Sequence, residues 1–470
     1  MGINAQWLTF LSIVSWVVFS FMVAVIAFYS FLLLVSLFQL RRSYQLDEWE
    51  PYEELLDVSY AKPISILVPV YNESAGIFGT VRSLLSIEYP EYEIMVINDG
   101  STDDTLAKLI ESFQLVRTNK VIRQQLKTKP VKAVYRSKLY RHLFVIDKEN
   151  GGKADALNAG INVSRYPYFC SIDGDSVLER SAFLKVMKPI IDSDGEVIAS
   201  GGSIRIANGC EIERGEIVKV GLSRHPLVVM QVIEYLRAFL MGRIGLSRHN
   251  LLLIVSGAFG VFSKRWVIEA GGYAHTVGED MELVVRLHRL IKERKESKKI
   301  VYVPDPVCWT EAPESLKYLR RQRRRWHRGL LESLWIHRCI IFNPKYGSIG
   351  LVSMPYFFFI EFLGPVVELA GYIIMIVSLF LGGIYIEFAI LLFLLSVIYG
   401  SIFSMVAVLL EEWTVRKFPN VSDIVRLFLF SFTESLWYRP LTVWWRCEGI
   451  IDALRKKRGW GEMERKGVSK

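Results

Sequence analysis

Five short groups of polar residues stand in order along the chain, and each has a chemistry suited to moving a group carried on a nucleotide. They are Asp99 in VINDGST, Lys153 in NGGKADALN, Asp173-Gly174-Asp175, Glu279-Asp280, and Gln322-Arg323-Arg324-Arg325-Trp326. Glycines before Lys153 let backbone approach phosphate closely, and Lys153 can then meet a diphosphate as a point charge. Asp173 and Asp175 are two carboxylates one residue apart, able to share a hard divalent cation, Mg²⁺ or Mn²⁺, that also takes phosphate oxygens. Asp280 opens a run read as a helix, where an aspartate can accept a proton from an attacking hydroxyl. Gln322, Arg325 and Trp326 fall on one helical face at i, i+3 and i+4. There the guanidinium can clamp phosphate oxygens and the indole offers a flat platform for a sugar ring. Arg323 and Arg324 face elsewhere in this reading, as a basic cluster beside a membrane.

These groups need a frame that brings them to one edge. Ile64–Val70 is an apolar run bounded by prolines, which reads as a buried parallel strand. Residues 80–86 read as helix, 92–97 as strand, 144–146 and 168–172 as further strands, and 281–290 as helix. Polar residues at strand C-termini place the site along that edge of a doubly wound α/β sheet. Neither GxGxxG after the first strand nor GxxxxGK[ST] is present, which argues against a dinucleotide or P-loop site.

The 470 residues are 51% hydrophobic yet 22% charged, as expected for a charged globular domain flanked by apolar spans. From Trp7 to Leu40 no residue is charged, and Arg41-Arg42 follow at once. This stretch predicts a transmembrane helix with the N-terminus outside and the next domain in the cytosol. The apolar region 349–410, divided near Gly382-Gly383 and Glu387, predicts two more spans, the first containing Glu361 and Glu368. Residues 421–454, 314–335 and 227–253 mix charges with aromatic and aliphatic residues and predict helices lying in the headgroup plane. The five cysteines have no metal-binding or disulfide spacing. The net charge of +9 comes without a nucleic-acid-binding motif, so the expected partners are an anionic donor and anionic lipid, not nucleic acid. Residues 117–141 hold nine Lys or Arg and no acid, a solvated insertion or a headgroup-docking surface.

At these residues the chain resembles the inverting family-2 glycosyltransferases of GT-A fold, and among them the membrane-integrated synthases of cellulose, hyaluronan and poly-N-acetylglucosamine. The resemblance implies that Asp99, Lys153, Asp173, Gln322 and Arg325 bind a UDP-sugar, with Asp99 at the uracil, and that Asp173 and Asp175 bind the metal. It implies Asp280 as catalytic base and Trp326, Glu279, Ser256 and Gly257 at the acceptor. Trp460 and Arg465 resemble a gating loop over the donor. Two departures stand out: Gly278 precedes Glu279-Asp280 where Thr is usual, and 207–253 reads as a long insertion.

The expected organisation is a transmembrane helix over 1–45, a linker over 46–62, a GT-A domain over 63–312 and interfacial helices over 313–346. A transmembrane hairpin over 347–412 and an interfacial tail over 413–470 complete it. The implied function is processive polymerisation of a UDP-sugar, best UDP-N-acetylglucosamine, into an extracellular, biofilm-type polysaccharide. The setting would be a bacterial or archaeal plasma membrane, with a small membrane subunit or a second copy as partner. The alternatives are single transfer to a lipid or lipid-linked acceptor, and a catalytically silent scaffold.

Overall fold

The computed structural model describes residues 5–49, 61–74, 76–213, 215–380, 386–414, 418 and 420–455. Ten strands form one mixed sheet in the order Leu115–Arg117, Val131–Ser137, Leu143–Lys148, Tyr92–Asn98, Ile64–Val70, Tyr168–Ile172, Phe259–Ser263, Val197–Ile206, Lys299–Thr310 and Val177–Leu178. Four consecutive strands at its centre, from Leu143–Lys148 to Tyr168–Ile172, are mutually parallel. Ile64–Val70 is buried along nearly its whole length, as a strand covered on both faces must be. Val70 lies level with Asn98, so the residues that follow these parallel strands, Asp99 and Asp173 among them, emerge along one edge. The helix Lys153–Val163 packs on Ile64–Val70 and Tyr92–Asn98, with every residue after Lys153 buried. Its first residue is thereby fixed at that same edge.

The basic stretch 117–141 differs from the expected insertion. Val131–Ser137 pairs antiparallel with Leu143–Lys148, and Leu115–Arg117 pairs with it in turn. Val131, Val134 and Tyr135 supply the strand-forming side chains, while Lys132 and Arg136 point to solvent and charge the sheet edge. The intervening loop is tied to the Lys153–Val163 helix, because Asn162 Oδ1 accepts from the backbone of Gln125 and Leu126.

The stretch 227–253 also departs from its expected place in the headgroup plane. Pro226–Leu236, a π-helical turn over Arg237–Arg243 and Ile244–Arg248 form one helical run. Val228, Val229, Met230, Ile233 and Leu240 are wholly buried. The run packs between the strand Val197–Ile206, the N-terminal helix and the helix Ile386–Thr414. A largely apolar run whose charged residues Glu234 and Arg237 find ion-pair partners within the protein is most stable inside, not at an interface.

Among the described residues, two segments are long and apolar enough to cross a membrane, Ser12–Arg41 and Ile349–Val377. A third apolar helix, Ile386–Thr414, packs on Gly364–Phe380 and on the N-terminal helix; the turn expected at Gly382-Gly383 falls outside the described residues. The acids in the second segment are both engaged. Glu368 pairs with Arg439 at 2.6 Å, and Glu361 accepts from Tyr29 at 2.8 Å and Tyr356 at 2.5 Å. The helical segment 421–454 turns Leu427, Ser431 and Tyr438 inward and leaves Val421, Val425, Leu429 and Leu436 exposed, an amphipathic pattern suited to a lipid surface.

Candidate active site

Asp99 follows the strand Tyr92–Asn98 and is buried. Its Oδ1 accepts from Lys148 Nζ at 2.6 Å and Gly151 N at 3.0 Å, and its Oδ2 accepts from Gly152 N at 2.7 Å. Lys148 Nζ lies equally close to Asp155 Oδ1. Both Asp99 oxygens therefore hold the NGGK loop in this conformation, and Asp99 does not line the cavity described below. Asp155 belongs to the NGGKADALN motif, whereas Lys148 carries no motif signal, since it is merely the last residue of its strand.

Lys153 projects from the start of its helix to Asp173 Oδ1 at 2.7 Å, Glu279 Oε1 at 3.5 Å and the Gly257 carbonyl at 3.2 Å. Burial works against the lysine charge, but Asp173, Glu279 and Asp280 overcome it and raise its pKa above the ordinary lysine value. Burial pushes the Glu279 carboxyl up to about 7, with Lys153 opposing and Asp280 and Asp173 reinforcing the rise. Glu279, expected at the acceptor, thus sits with the lysine and the first metal-binding candidate.

Asp280 is fixed by its neighbours. Its Oδ1 accepts from Met281 N at 2.9 Å, and a Cβ at position 257 would stand only 2.8 Å from its Oδ2. Glycine at 257 is what lets the loop Ser256-Gly257 lie against the carboxylate. Ser256 Oγ accepts from Ala258 N at 3.2 Å, so its hydroxyl shapes this loop.

The opposite wall is the helix Leu316–Ile336. It meets the start of Glu279–Glu293 through two glycines: a Cβ on Gly329 would lie 2.9 Å from Gly278 Cα. Glycine at 278, where the family usually has Thr, is the residue this approach requires. Val277 N donates to Glu332 at 3.0 Å, and His337 lies 3.1 Å from Glu282. Arg323 and Arg324 are not a loose basic cluster. Arg323 is 1% exposed and pairs with Glu234 at 2.7 Å, while Arg324 donates to Asp452 at 2.8 Å. Both partners lie far away in sequence, so nothing local could have revealed them.

Lys153, Asp173, Asp175, Ser256, Gly257, Glu279, Asp280, Gln322, Arg325 and Trp326 line one cavity of about 740 Å³, which continues to Phe357 and Glu361 of the second apolar segment. Trp460 and Arg465 lie outside the described residues. For a metal, the cavity offers the hard oxygens of Asp173 and Asp175, and the described residues hold no group of three or more His, Cys, Asp or Glu suited to a metal. Two carboxylates suit a Mg²⁺ or Mn²⁺ ion that completes its shell from a bound nucleotide and water.

Family models confirm the class. The model "Glycosyl transferase family 2" matches residues 65–216 and "Glycosyl transferase family group 2" matches 205–410. The chain belongs to the family-2 glycosyltransferases, with a GT-A fold and a catalytic, group-transferring activity. The stretch 207–253 falls within the second match. Among individual relatives, the poly-β-1,6-N-acetyl-D-glucosamine synthase of Staphylococcus epidermidis is 26% identical over 446 residues, 90% of this chain and 93% of the relative. The enzyme of that name from Staphylococcus aureus strain COL is 30% identical over 277 residues, 58% and 56% of the two chains. The solved mannosyltransferase PcManGT from Pyrobaculum calidifontis, in complex with GDP-Man and Mn²⁺, shares the fold with a TM-score of 0.51 and 17% identity, covering 90% of this chain and 99% of that one.

Proposed function

We propose that the chain is a membrane-embedded, inverting polysaccharide synthase that transfers N-acetylglucosamine from UDP-N-acetylglucosamine to a growing glycan and passes the product across the membrane. The observation that carries this reading is the single cavity joining Lys153, Asp173, Asp175, Asp280 and Trp326 and reaching Glu361 in an apolar segment. The similarity to poly-β-1,6-N-acetyl-D-glucosamine synthases along most of the chain supports the donor and product.

In this reading Asp280 takes the proton of an acceptor hydroxyl while that oxygen attacks the anomeric carbon. The new C–O bond forms on the face opposite the departing UDP, and the bond to the diphosphate breaks. Lys153 and Arg325 stabilise the charge that develops on the leaving diphosphate. Asp173 and Asp175 would hold Mg²⁺ or Mn²⁺, which when bound neutralises diphosphate oxygens. Asp99 sets the loop that the diphosphate approaches, and Trp326 carries the acceptor ring. The catalytic domain faces the cytosol and the N-terminus lies outside, an orientation supported by Arg41-Arg42 directly after the first apolar segment.

Product sizing tests the proposal. Purified full-length protein in lipid, with Mn²⁺, receives labelled UDP-N-acetylglucosamine, UDP-glucose or UDP-glucuronic acid in parallel. A long glycosidase-sensitive polymer from the first donor is expected. A single labelled sugar partitioning with lipid would replace polymerisation by transfer to a lipid acceptor, and absence of incorporation from every donor would overturn the proposal.

A further inference from the structure

Trp326 is 43% exposed, yet a charged group covers its ring. The Arg323 guanidinium carbon stands 4.4 Å from the Trp326 ring centroid, within the range in which a cation is held by an aromatic face. Arg323 cannot wander. Its Nη2 donates to Glu234 at 2.7 Å and to the Tyr438 hydroxyl at 3.3 Å. Tyr438 in turn donates to Glu234 at 2.7 Å, and Arg446 lies 3.6 Å from the same carboxylate. The participants come from three separate elements: the buried run beginning at Pro226, the helix Leu316–Ile336 and the C-terminal helical segment.

We infer that Glu234 is a positioning residue for the transfer reaction, acting through Arg323 to fix the indole of Trp326 with one face covered and the remainder turned to the cavity. An indole on a helix surface has two free torsions, and a platform that must be ordered each time an acceptor docks binds more weakly than one already held. The Glu234 carboxylate supplies that order. Burial alone would favour its neutral form, but Arg323 and Arg446 hold its pKa below the ordinary glutamate value, so it remains an anion able to grip Arg323. The flat guanidinium lies over the indole while its Nη2 reaches Glu234, a geometry lysine cannot reproduce. Arg323→Lys therefore keeps the charge and loses the platform. This role deepens the proposed reading and rests on Trp326 contacting the acceptor.

The test is made on full-length protein labelled with fluorotryptophan, in which the Trp326 resonance is identified by its loss in Trp326→Phe. Glu234→Gln and Arg323→Lys are each expected to shift or broaden that resonance while the other tryptophan signals stay in place. With a soluble N-acetylglucosamine oligosaccharide as acceptor, the same variants raise the acceptor KM by roughly threefold to tenfold, the equivalent of ordering one side chain. Their kcat and their hydrolysis of donor without acceptor stay near wild type. A Trp326 resonance unmoved in both folded variants overturns the inference, even if the protein proves inactive on every donor. A moved resonance with an unchanged acceptor KM also overturns it, because the platform would then not be what the acceptor reads. Should Glu234→Gln fail to fold, Arg323→Lys decides by the same two readouts.

Discussion

The sheet edge and the helical wall facing it bring their residues to the cavity by different means. At the edge, Asp99 and Asp173 each stand one residue beyond a strand, and Lys153 is the first residue of a helix packed on that sheet. On the wall, Trp326 faces the cavity beside Arg323, which is anchored by Glu234 and by Tyr438, 115 positions away in the chain. The first arrangement follows from local chain geometry and a well-buried core. The second depends on buried ion pairs among distant segments, each of which becomes destabilising when one partner is removed. Substitutions at Asp173 or Asp280 should therefore change chemistry with little change in folding, while substitutions that break the Arg323–Glu234 pair should also lower stability.

The largest expected effect lies at the junction of the two regions. Asp280→Asn should lower transfer by about 10²–10⁴-fold, the range for loss of a general base, with UDP affinity by calorimetry near wild type. Gly329→Ala is the sharpest steric test. Its Cβ would meet Gly278 Cα at 2.9 Å, so the helices must part, at a cost of about 1–3 kcal/mol read as a lower thermal midpoint together with reduced transfer. A pH series isolates the support behind the edge. His288 is buried on the helix Glu279–Glu293, and its Nε2 donates to the Leu252 carbonyl at 2.9 Å. Burial lowers its pKa to about 4, partly opposed by that hydrogen bond. The folded state thus holds a neutral imidazole where the unfolded chain binds a proton below about 6.5. Its contribution is complete above pH 6.5 and is lost as pH falls towards 4, amounting to about 1 kcal/mol between pH 7 and 5.5. His288→Gln, which can still donate to Leu252, should flatten that part of the stability profile in thermal melts. The smallest effect belongs to pairs outside both regions. Arg265→Ala removes an exposed i,i+4 partner of Glu269 and should leave melting and transfer unchanged.

Legibility in the sequence follows the same division. Strand–helix alternation and the strand-end carboxylates were readable because period and position along one segment encode them. The parallel centre of the sheet was therefore anticipated, along with the helix that opens at Glu279. The edge hairpin of 131–137 was hidden by its charge, since Lys132 and Arg136 alternate with apolar residues over too short a run to outweigh a basic stretch. The run from Pro226 reads as interfacial because its charged residues, Glu234 and Arg237, are visible in sequence while their buried partners Arg323 and Glu434 are not. The motif places Asp99 at a ligand, while its hydrogen bonds run to Lys148 and two loop amides, a pairing no spacing rule predicts.

Calorimetry of UDP binding in the presence of Mn²⁺, on full-length Asp173→Asn and Trp326→Ala, tests most directly the assignment of Asp173 to the donor and Trp326 to the acceptor. Asp173→Asn should lose UDP binding, while Trp326→Ala should bind UDP as the wild type does and fail in transfer. Equal loss of UDP binding in both variants, or loss in Trp326→Ala alone, would contradict it.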